Sequence, residues 1–119
     1  MISFNQTWYT YELQFGDPKS NFWTGGEFLY YLTRAYGPPE YYRATPKFLR
    51  VAGLFEGTKY IGYYYGWRLS QGVGDFRFWY STYQSPNGLP DCLATSKEIP
   101  FSTKDFGTNQ NCAISYGAG

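Results

Sequence analysis

The amino-acid sequence predicts an α+β fold, an antiparallel β-sheet meander accompanied by one or two short helices. One segment with helical periodicity lies in the first third of the chain, and three strand-like segments separated by short turns fill the middle. Little regular pattern follows Pro90, so we expect a long irregular C-terminal segment. The 119 residues contain no linker or repeat, and we expect residues 1–119 to form a single domain.

The helix is predicted from Glu27 to Ala35. Apolar side chains recur there with the spacing i, i+3, i+4 and i+7, at Phe28, Tyr31, Leu32 and Ala35. The aromatic residues 4–13 alternate only loosely, and residues 17–21 have the composition of a turn. Gly37 and two prolines end the helix, and the Pro- and Tyr-rich residues 36–46 are interpreted as a surface loop.

Three strands are predicted at residues 48–54, 60–69 and 76–83. The turns between them, at residues 56–59 and 72–75, are short, so neighbouring strands must run antiparallel. In the third strand, alternation places Phe76, Phe78 and Tyr80 on one face.

Composition excludes several classes of function. Ten basic and nine acidic residues leave a formal net charge of +1, which argues against a nucleic-acid partner. Histidine is absent, so neither a Ser-His nor a Cys-His catalytic pair exists in this chain. No apolar run reaches the length of a membrane span, and we expect no membrane insertion. The carboxylates are scattered, so we do not expect an enzyme, although sequence cannot show which carboxylates meet in space.

Aromatic residues make up 24% of the chain. Tyr63, Tyr65 and Trp67 share one face of the second predicted strand, where they would form a platform for a sugar or a protein. The alternative is that this face packs on the helix predicted from Glu27 to Ala35.

Several ordered motifs carry a family resemblance. They are Phe4-x-x-x-Trp8-x-x-Tyr11, Phe15-Gly16, Phe22-Trp23-Thr24-Gly25-Gly26-Glu27, Leu32-Thr33, Leu49-Arg50-Val51, Trp67-Arg68-Leu69, Phe101-Ser102-Thr103-Lys104-Asp105 and Asn111-Cys112-Ala113. Together they resemble the fibrinogen C-terminal (fibrinogen-related) domain family. The resemblance covers the central portion of such a domain, and the motifs expected before Phe4 and after Gly119 are missing.

The resemblance implies a fibrinogen C-terminal-like fold and an extracellular recognition module. Such a module binds glycans or acetylated ligands, or extracellular proteins, in innate defence, adhesion or matrix. The alternative is a structural or truncated domain that lacks its ligand pocket and acts only in assembly. Tyr116 would lie on the approach to the family's pocket. We also predict self-association of the isolated chain, because half of a domain leaves sheet edges uncovered.

The family's calcium site follows the F-S-T-x-D motif, which here places Asp105, Gly107 and Asn109 at the expected position. The acidic repeat of that site is gone, and one carboxylate rarely holds calcium tightly. No cofactor is therefore expected, with calcium as the single candidate.

Two further features concern the cellular setting. Cys92 and Cys112 are the two cysteines, and a bridge between them in an oxidising compartment is one hypothesis, with two free thiols as the other. The family's own partner for Cys112 is absent. Asn5-Gln6-Thr7 is an N-glycosylation sequon. A secreted, extracellular location is the expectation.

Overall fold

The first helix forms where the sequence shows only loosely alternating aromatic residues. A computed structural model describes residues 2–33, 48–117 and 119, so the predicted loop at residues 36–46 and the predicted helix end at Ala35 lie outside the described residues. Helix α1 spans Trp8–Glu12 and begins at Thr7, whose hydroxyl accepts a hydrogen bond from the N–H of Thr10 at 3.3 Å. Strands β1 (Phe15–Gly16) and β2 (Phe22–Trp23) then pair antiparallel across the predicted turn.

Helix α2 spans Gly26–Thr33, as the apolar periodicity predicts. It packs against the short strand β5 (Arg68–Leu69), and the Thr33 hydroxyl accepts a hydrogen bond from the N–H of Leu69 at 3.1 Å. This contact does not bury the predicted apolar stripe of the helix, since Phe28, Tyr31 and Leu32 are all exposed. Periodicity therefore identified the helix but not the face that this chain buries.

The main sheet contains three antiparallel strands in the order β3 (Phe48–Phe55), β4 (Thr58–Tyr65) and β7 (Thr82–Gln84). A two-residue turn, Glu56-Gly57, joins β3 to β4 and sets their register, in which Phe55 lies opposite Thr58.

Two predicted strands are shorter than expected. The strand predicted at residues 60–69 ends at Tyr65, because Gly66 adopts a φ of +66° and turns the chain. The strand predicted at residues 76–83 divides into β6 (Phe78–Trp79) and β7, and β6 pairs with β5 in a separate two-stranded sheet. The meander therefore continues across two sheets.

The core is built mainly from aromatic rings. Its buried apolar members are Tyr11, Tyr64, Phe76, Tyr80 and Ala113. Tyr64 meets the ring of Tyr80 edge-on at 4.9 Å and that of Tyr83 at 4.6 Å. Such contacts add to the free energy that burial of the ring area supplies.

The C-terminal segment contains a helix that we did not predict. A 3-10 turn spans Ala94–Ser96, and helix α3 spans Gln110–Tyr116. Gly117 ends α3 in the left-handed conformation, and its N–H reaches the carbonyl of Ala113 at 2.9 Å. In the described part of the chain, no helix is long and apolar enough to cross a membrane.

Candidate functional site

An exposed group of aromatic rings lies on one face of the main sheet. Phe48 stands opposite Tyr65 in the register of β3 and β4, and its ring centroid is 6.0 Å from that of Tyr65 and 5.8 Å from that of Tyr63. The rings of Tyr63 and Tyr65 are stacked, 6.2 Å apart with 26° between their planes. We call Phe48, Tyr63 and Tyr65 the aromatic face.

Strand alternation explains why this face is exposed. Tyr64 lies between Tyr63 and Tyr65 in the chain, so its side chain points to the opposite face, where it is fully buried. Tyr65 retains 38% of its exposure and Phe48 55%. The alternative was that this face packs on the predicted helix, but that helix, α2, packs on β5 instead. Two of the three predicted platform residues therefore lie together on an accessible surface.

Trp67 does not belong to the aromatic face. It follows the turn at Gly66, and with Tyr11, Trp23 and Leu69 it lines an apolar cavity of about 150 Å³. Its indole Nε1 is buried and has no hydrogen-bond partner within residues 2–33, 48–117 and 119. The prediction that Trp67 extends the platform assumed an unbroken strand and is wrong for that reason.

Tyr116 lies on α3 and is 86% exposed. It lines an apolar groove of about 370 Å³ together with Phe78, Phe101 and Cys112. Tyr116 and the aromatic face therefore belong to separate surfaces, and the structure does not bring the four predicted ligand-binding residues into one site.

The F-S-T-x-D motif forms a tight turn that holds the N-terminal segment. Thr103 is fully buried, and its hydroxyl donates a hydrogen bond to Asp105 Oδ1 at 2.8 Å. The same carboxylate oxygen accepts the N–H of Trp8, the first residue of α1, at 2.9 Å. Burial opposes ionisation of Asp105, but the hydrogen bonds from Thr103 and Trp8, with the nearby positive charge of Lys104, lower its pKa below the ordinary value.

The residues after this motif make contacts within their own loop. Asn109 donates its backbone N–H to the hydroxyl of Ser102 at 3.0 Å, and Gly107 packs against the same hydroxyl with a φ of +101°. Calcium needs six to eight oxygen ligands. In the described ranges no group of three or more His, Cys, Asp or Glu side chains could hold a metal. Asp105 connects this loop to α1, and calcium binding at Asp105, Gly107 and Asn109 stays a prediction.

The two cysteines are free and exposed, so the bridge that we considered between Cys92 and Cys112 is not formed in this structure. The Cys92 thiol lies 3.3 Å from the carbonyl of Pro90, to which it donates. Cys112 sits on α3 at the groove that Tyr116 lines. The two thiols therefore lie in different surroundings, Cys92 beside a loop carbonyl and Cys112 at a groove.

Asn5 of the glycosylation sequon is exposed. Thr7, the third residue of the sequon, is the N-cap of α1. The sequon therefore lies on the surface immediately before a helix, and glycosylation at Asn5 stays a prediction.

A polar network around the half-buried Asp91 was not predicted. The Tyr80 hydroxyl donates to Asp91 Oδ2 at 2.7 Å, and burial together with this carboxylate raises the pKa of Tyr64 to about 12. Asp91 Oδ1 accepts the N–H of Leu93 at 3.1 Å. No sequence pattern links these residues, because Asp91 lies in a loop far along the chain from Tyr64. The network anchors that loop on the sheet.

Comparisons with known proteins identify relatives in sequence and in fold. No protein-family model matches the chain. Angiopoietin-related protein 7 of Mus musculus is 32% identical over 113 residues, which are 94% of this chain and 30% of that protein. The fibrinogen-like globe domain of human ANGPTL6 superposes with a TM-score of 0.77 at 26% identity, over 99% of this chain and 50% of that one.

A further solved structure is the lamprey fibrin D-dimer in complex with the peptide Gly-His-Arg-Pro-amide. It superposes with a TM-score of 0.70 at 22% identity, over 98% of this chain and 40% of that one, and shows the fold alone. The chain thus spans half or less of the length of the relatives that it matches.

Proposed function

We propose that this chain, whose fold is that of a fibrinogen-like globe domain, is a non-enzymatic extracellular recognition module. The family resemblance drawn from its motifs is confirmed by the likeness to angiopoietin-related protein 7 and to the ANGPTL6 globe. The ligand is a glycan, an acetylated sugar in particular, or an extracellular protein.

The aromatic face is the observation that carries this proposal. A sugar stacks on an aromatic ring because its C–H groups meet the negative face of the π-system. Tyrosine is also enriched at protein interfaces, where its ring packs and its hydroxyl stays hydrated. Tyr63 and Tyr65 present two stacked rings, and Phe48 extends them at the strand end.

Paired tyrosine variants test the proposal. The chain is applied to a glycan array and to an acetylated-sugar column, beside a Tyr63→Ala/Tyr65→Ala double variant. Loss of two stacking rings should weaken retention by at least about tenfold, since each contact of this kind is worth on the order of 1 kcal/mol. Tyr116→Ala is the matched control, because it removes an exposed tyrosine from a separate groove.

Circular dichroism must show that the double variant keeps its fold, which the partial exposure of both side chains leads us to expect. Retention that the double variant leaves unchanged and Tyr116→Ala reduces would place the ligand in the groove and contradict the role of the aromatic face.

The alternative is a structural role in assembly without a ligand. It is favoured by the large apolar side chains exposed on α2, β3 and α3, which are Phe28, Leu32, Leu54, Phe55 and Ile114. Surfaces of this kind on a soluble domain mark contact sites for other proteins. No retention on any sugar, together with association between copies, would support this alternative.

A further inference from the structure

The loop that follows strand β7 is held on β4 by side chains instead of strand pairing. The ladder between the two strands ends at Gln84. Beyond it, the Ser85 hydroxyl donates to the carbonyl of Ile61 at 2.7 Å and accepts the N–H of Leu89 at 2.9 Å. One hydroxyl therefore joins the two sides of this loop, residues 85–90, to each other and to the sheet.

Asn87 extends the contact with both ends of its carboxamide. Its Oδ1 accepts the N–H of Ile61 at 3.1 Å, and its Nδ2 donates to the carbonyl of Lys59. A carboxamide can do this because it carries a donor and an acceptor side by side, as a peptide group does. The side chain of Asn87 thus takes the place that the main chain of a neighbouring strand would occupy.

The residue that follows makes Asn87 chemically reactive. Gly88 has no side chain, so its main-chain nitrogen can approach the carboxamide carbon closely. That nitrogen loses its proton and bonds to Cγ, the bond from Cγ to Nδ2 breaks, and ammonia departs to leave a cyclic imide. Water then opens the ring at either carbonyl, which gives aspartate or isoaspartate at position 87 and restores the N–H of Gly88. The other asparagines of the chain precede Gln, Phe or Cys, whose side chains hinder this attack.

We propose that Asn87 is a deamidation site whose reaction is controlled by release of the loop from β4. While the loop is in place, the oxygen and the nitrogen of the carboxamide are both bound to the main chain of β4. Cγ turns toward the nitrogen of Gly88 only when those two hydrogen bonds break. Asn87 and Gly88 are both exposed, so water reaches the imide once it has formed. Local opening of the loop therefore sets the rate in the folded chain.

The product cannot restore the contact that was lost. A carboxylate accepts hydrogen bonds and donates none. One of its oxygens would therefore face the carbonyl oxygen of Lys59, where Nδ2 donates in the unmodified chain. Isoaspartate also lengthens the main chain by one carbon between residues that must reach the same strand. Deamidation thus converts a transient opening of the loop into a lasting one.

Rates in the folded and the unfolded chain test control by the loop. The chain is kept at mildly alkaline pH with and without urea, and peptide mass spectrometry follows conversion of Asn87 to the acid. We expect the reaction to be at least about tenfold slower in the folded chain, because opening must precede it. Gly88→Ala should slow the reaction in urea, where only the chemistry of the pair matters. Equal rates with and without urea, or no reaction in urea, would overturn the proposal.

Two serine variants test which contact controls the opening. Ser85→Ala removes the hydroxyl that holds the loop and should speed deamidation of the folded chain at least about threefold. Ser81→Ala is the matched control, because its hydroxyl also donates to a β4 carbonyl, that of Tyr65 at 2.9 Å, but at the other end of the strand. It should leave the rate unchanged. Equal acceleration by both variants would assign the reaction to unfolding of the whole chain and contradict control by the loop.

Asn87→Asp reproduces the aspartate product and measures its consequence. It should raise the equilibrium constant for unfolding in urea at least about fivefold, because a donor to the carbonyl of Lys59 is replaced by a charged acceptor. Val73→Asp, at a site 88% exposed outside the loop, adds the same charge and should leave this constant unchanged. An Asn87→Asp chain as stable as the unaltered one would contradict the lasting opening. None of these measurements uses a ligand, so their outcome is independent of the proposed function.

Discussion

Asp105 connects two segments of the chain that are 97 residues apart in sequence. Its carboxylate accepts the first N–H of α1 and the hydroxyl of the buried Thr103. Lys104 adds a contact from its ammonium to the carbonyl of Asn5 at 3.0 Å. The F-S-T-x-D motif, which carries part of the family resemblance, therefore has a structural role in this chain. Its side chains form hydrogen bonds that hold the N-terminal segment in place.

Two buried tyrosines lead to a prediction about alkaline stability. Burial, a hydrogen bond to Asp91 and the negative charge of that carboxylate raise the pKa of Tyr64 from 10.0 to about 12. For Tyr80 the hydrogen bond to Asp91 comes first, followed by burial, and its pKa also rises to about 12. Between pH 10 and 12 the folded state therefore binds more protons than the unfolded state, so the free energy of unfolding falls as pH rises.

Below pH 10 this stabilisation is fully present, and by pH 12 we expect a loss of roughly 2 kcal/mol for each of the two phenols. Urea unfolding from pH 9 to 12 measures the slope, and Tyr80→Phe should make it shallower because one of the two phenols is removed. Tyr116→Phe, on an exposed tyrosine, is the matched control. A slope that Tyr80→Phe leaves unaltered would show that this phenol does not carry the effect.

At the scale of elements, local sequence determines where strands and helices start better than where they end. The β3–β4 hairpin was predicted because its apolar strands flank a short turn, and its observed register follows from Glu56-Gly57. The predicted second strand was too long because Gly66 can take a left-handed φ that a sequence pattern does not display. Helix α3 was missed because its exposed apolar residues, Ile114 and Tyr116, give no amphipathic pattern.

Two glycines in left-handed conformations provide a matched pair for testing the loop after the F-S-T-x-D motif. Gly107 has a φ of +101°, and an added Cβ would lie 2.5 Å from the Ser102 hydroxyl and 2.9 Å from the carbonyl of Phe101. Gly57 has a φ of +78° and no atom within 4 Å of such a Cβ. Gly57→Ala should cost about 1 kcal/mol from backbone strain alone.

Gly107→Ala should cost at least about 2 kcal/mol more than Gly57→Ala, because the strain is joined by a clash with backbone and with a buried hydroxyl. Urea denaturation of both variants measures the difference. Equal costs would mean that the loop is not packed against Ser102.

At the scale of the whole molecule, the chain leaves much apolar surface in contact with water. It matches half or less of the length of its relatives. Phe28 and Leu32 on α2 are exposed although the periodicity of the helix places them on its apolar face. An amphipathic helix normally buries that stripe, so α2 offers a contact surface that its own packing on β5 does not use.

Polar replacements on α2 test this exposure. Phe28→Ser/Leu32→Gln should lower the fluorescence of a bound hydrophobic dye, because two exposed apolar side chains are removed. The melting temperature should change by no more than about 3 °C, since exposed positions contribute little to stability. Leu29→Gln, on the partly buried side of the same helix, should lower the melting temperature further. A large loss of stability in the double variant would show that α2 is covered in solution.

The sequence by itself determined the α+β class, the central hairpin, the resemblance to fibrinogen-related domains and the absence of histidine chemistry. These properties depend on residue type, on order and on spacing along the chain. Only the tertiary structure decided that Tyr63 and Tyr65 are accessible while Trp67 lines a cavity, that Asp105 holds α1, and that Asp91 joins Tyr64 and Tyr80. Each of these depends on contacts between segments distant in sequence, where burial and hydrogen-bond geometry, rather than local pattern, set the role of a side chain.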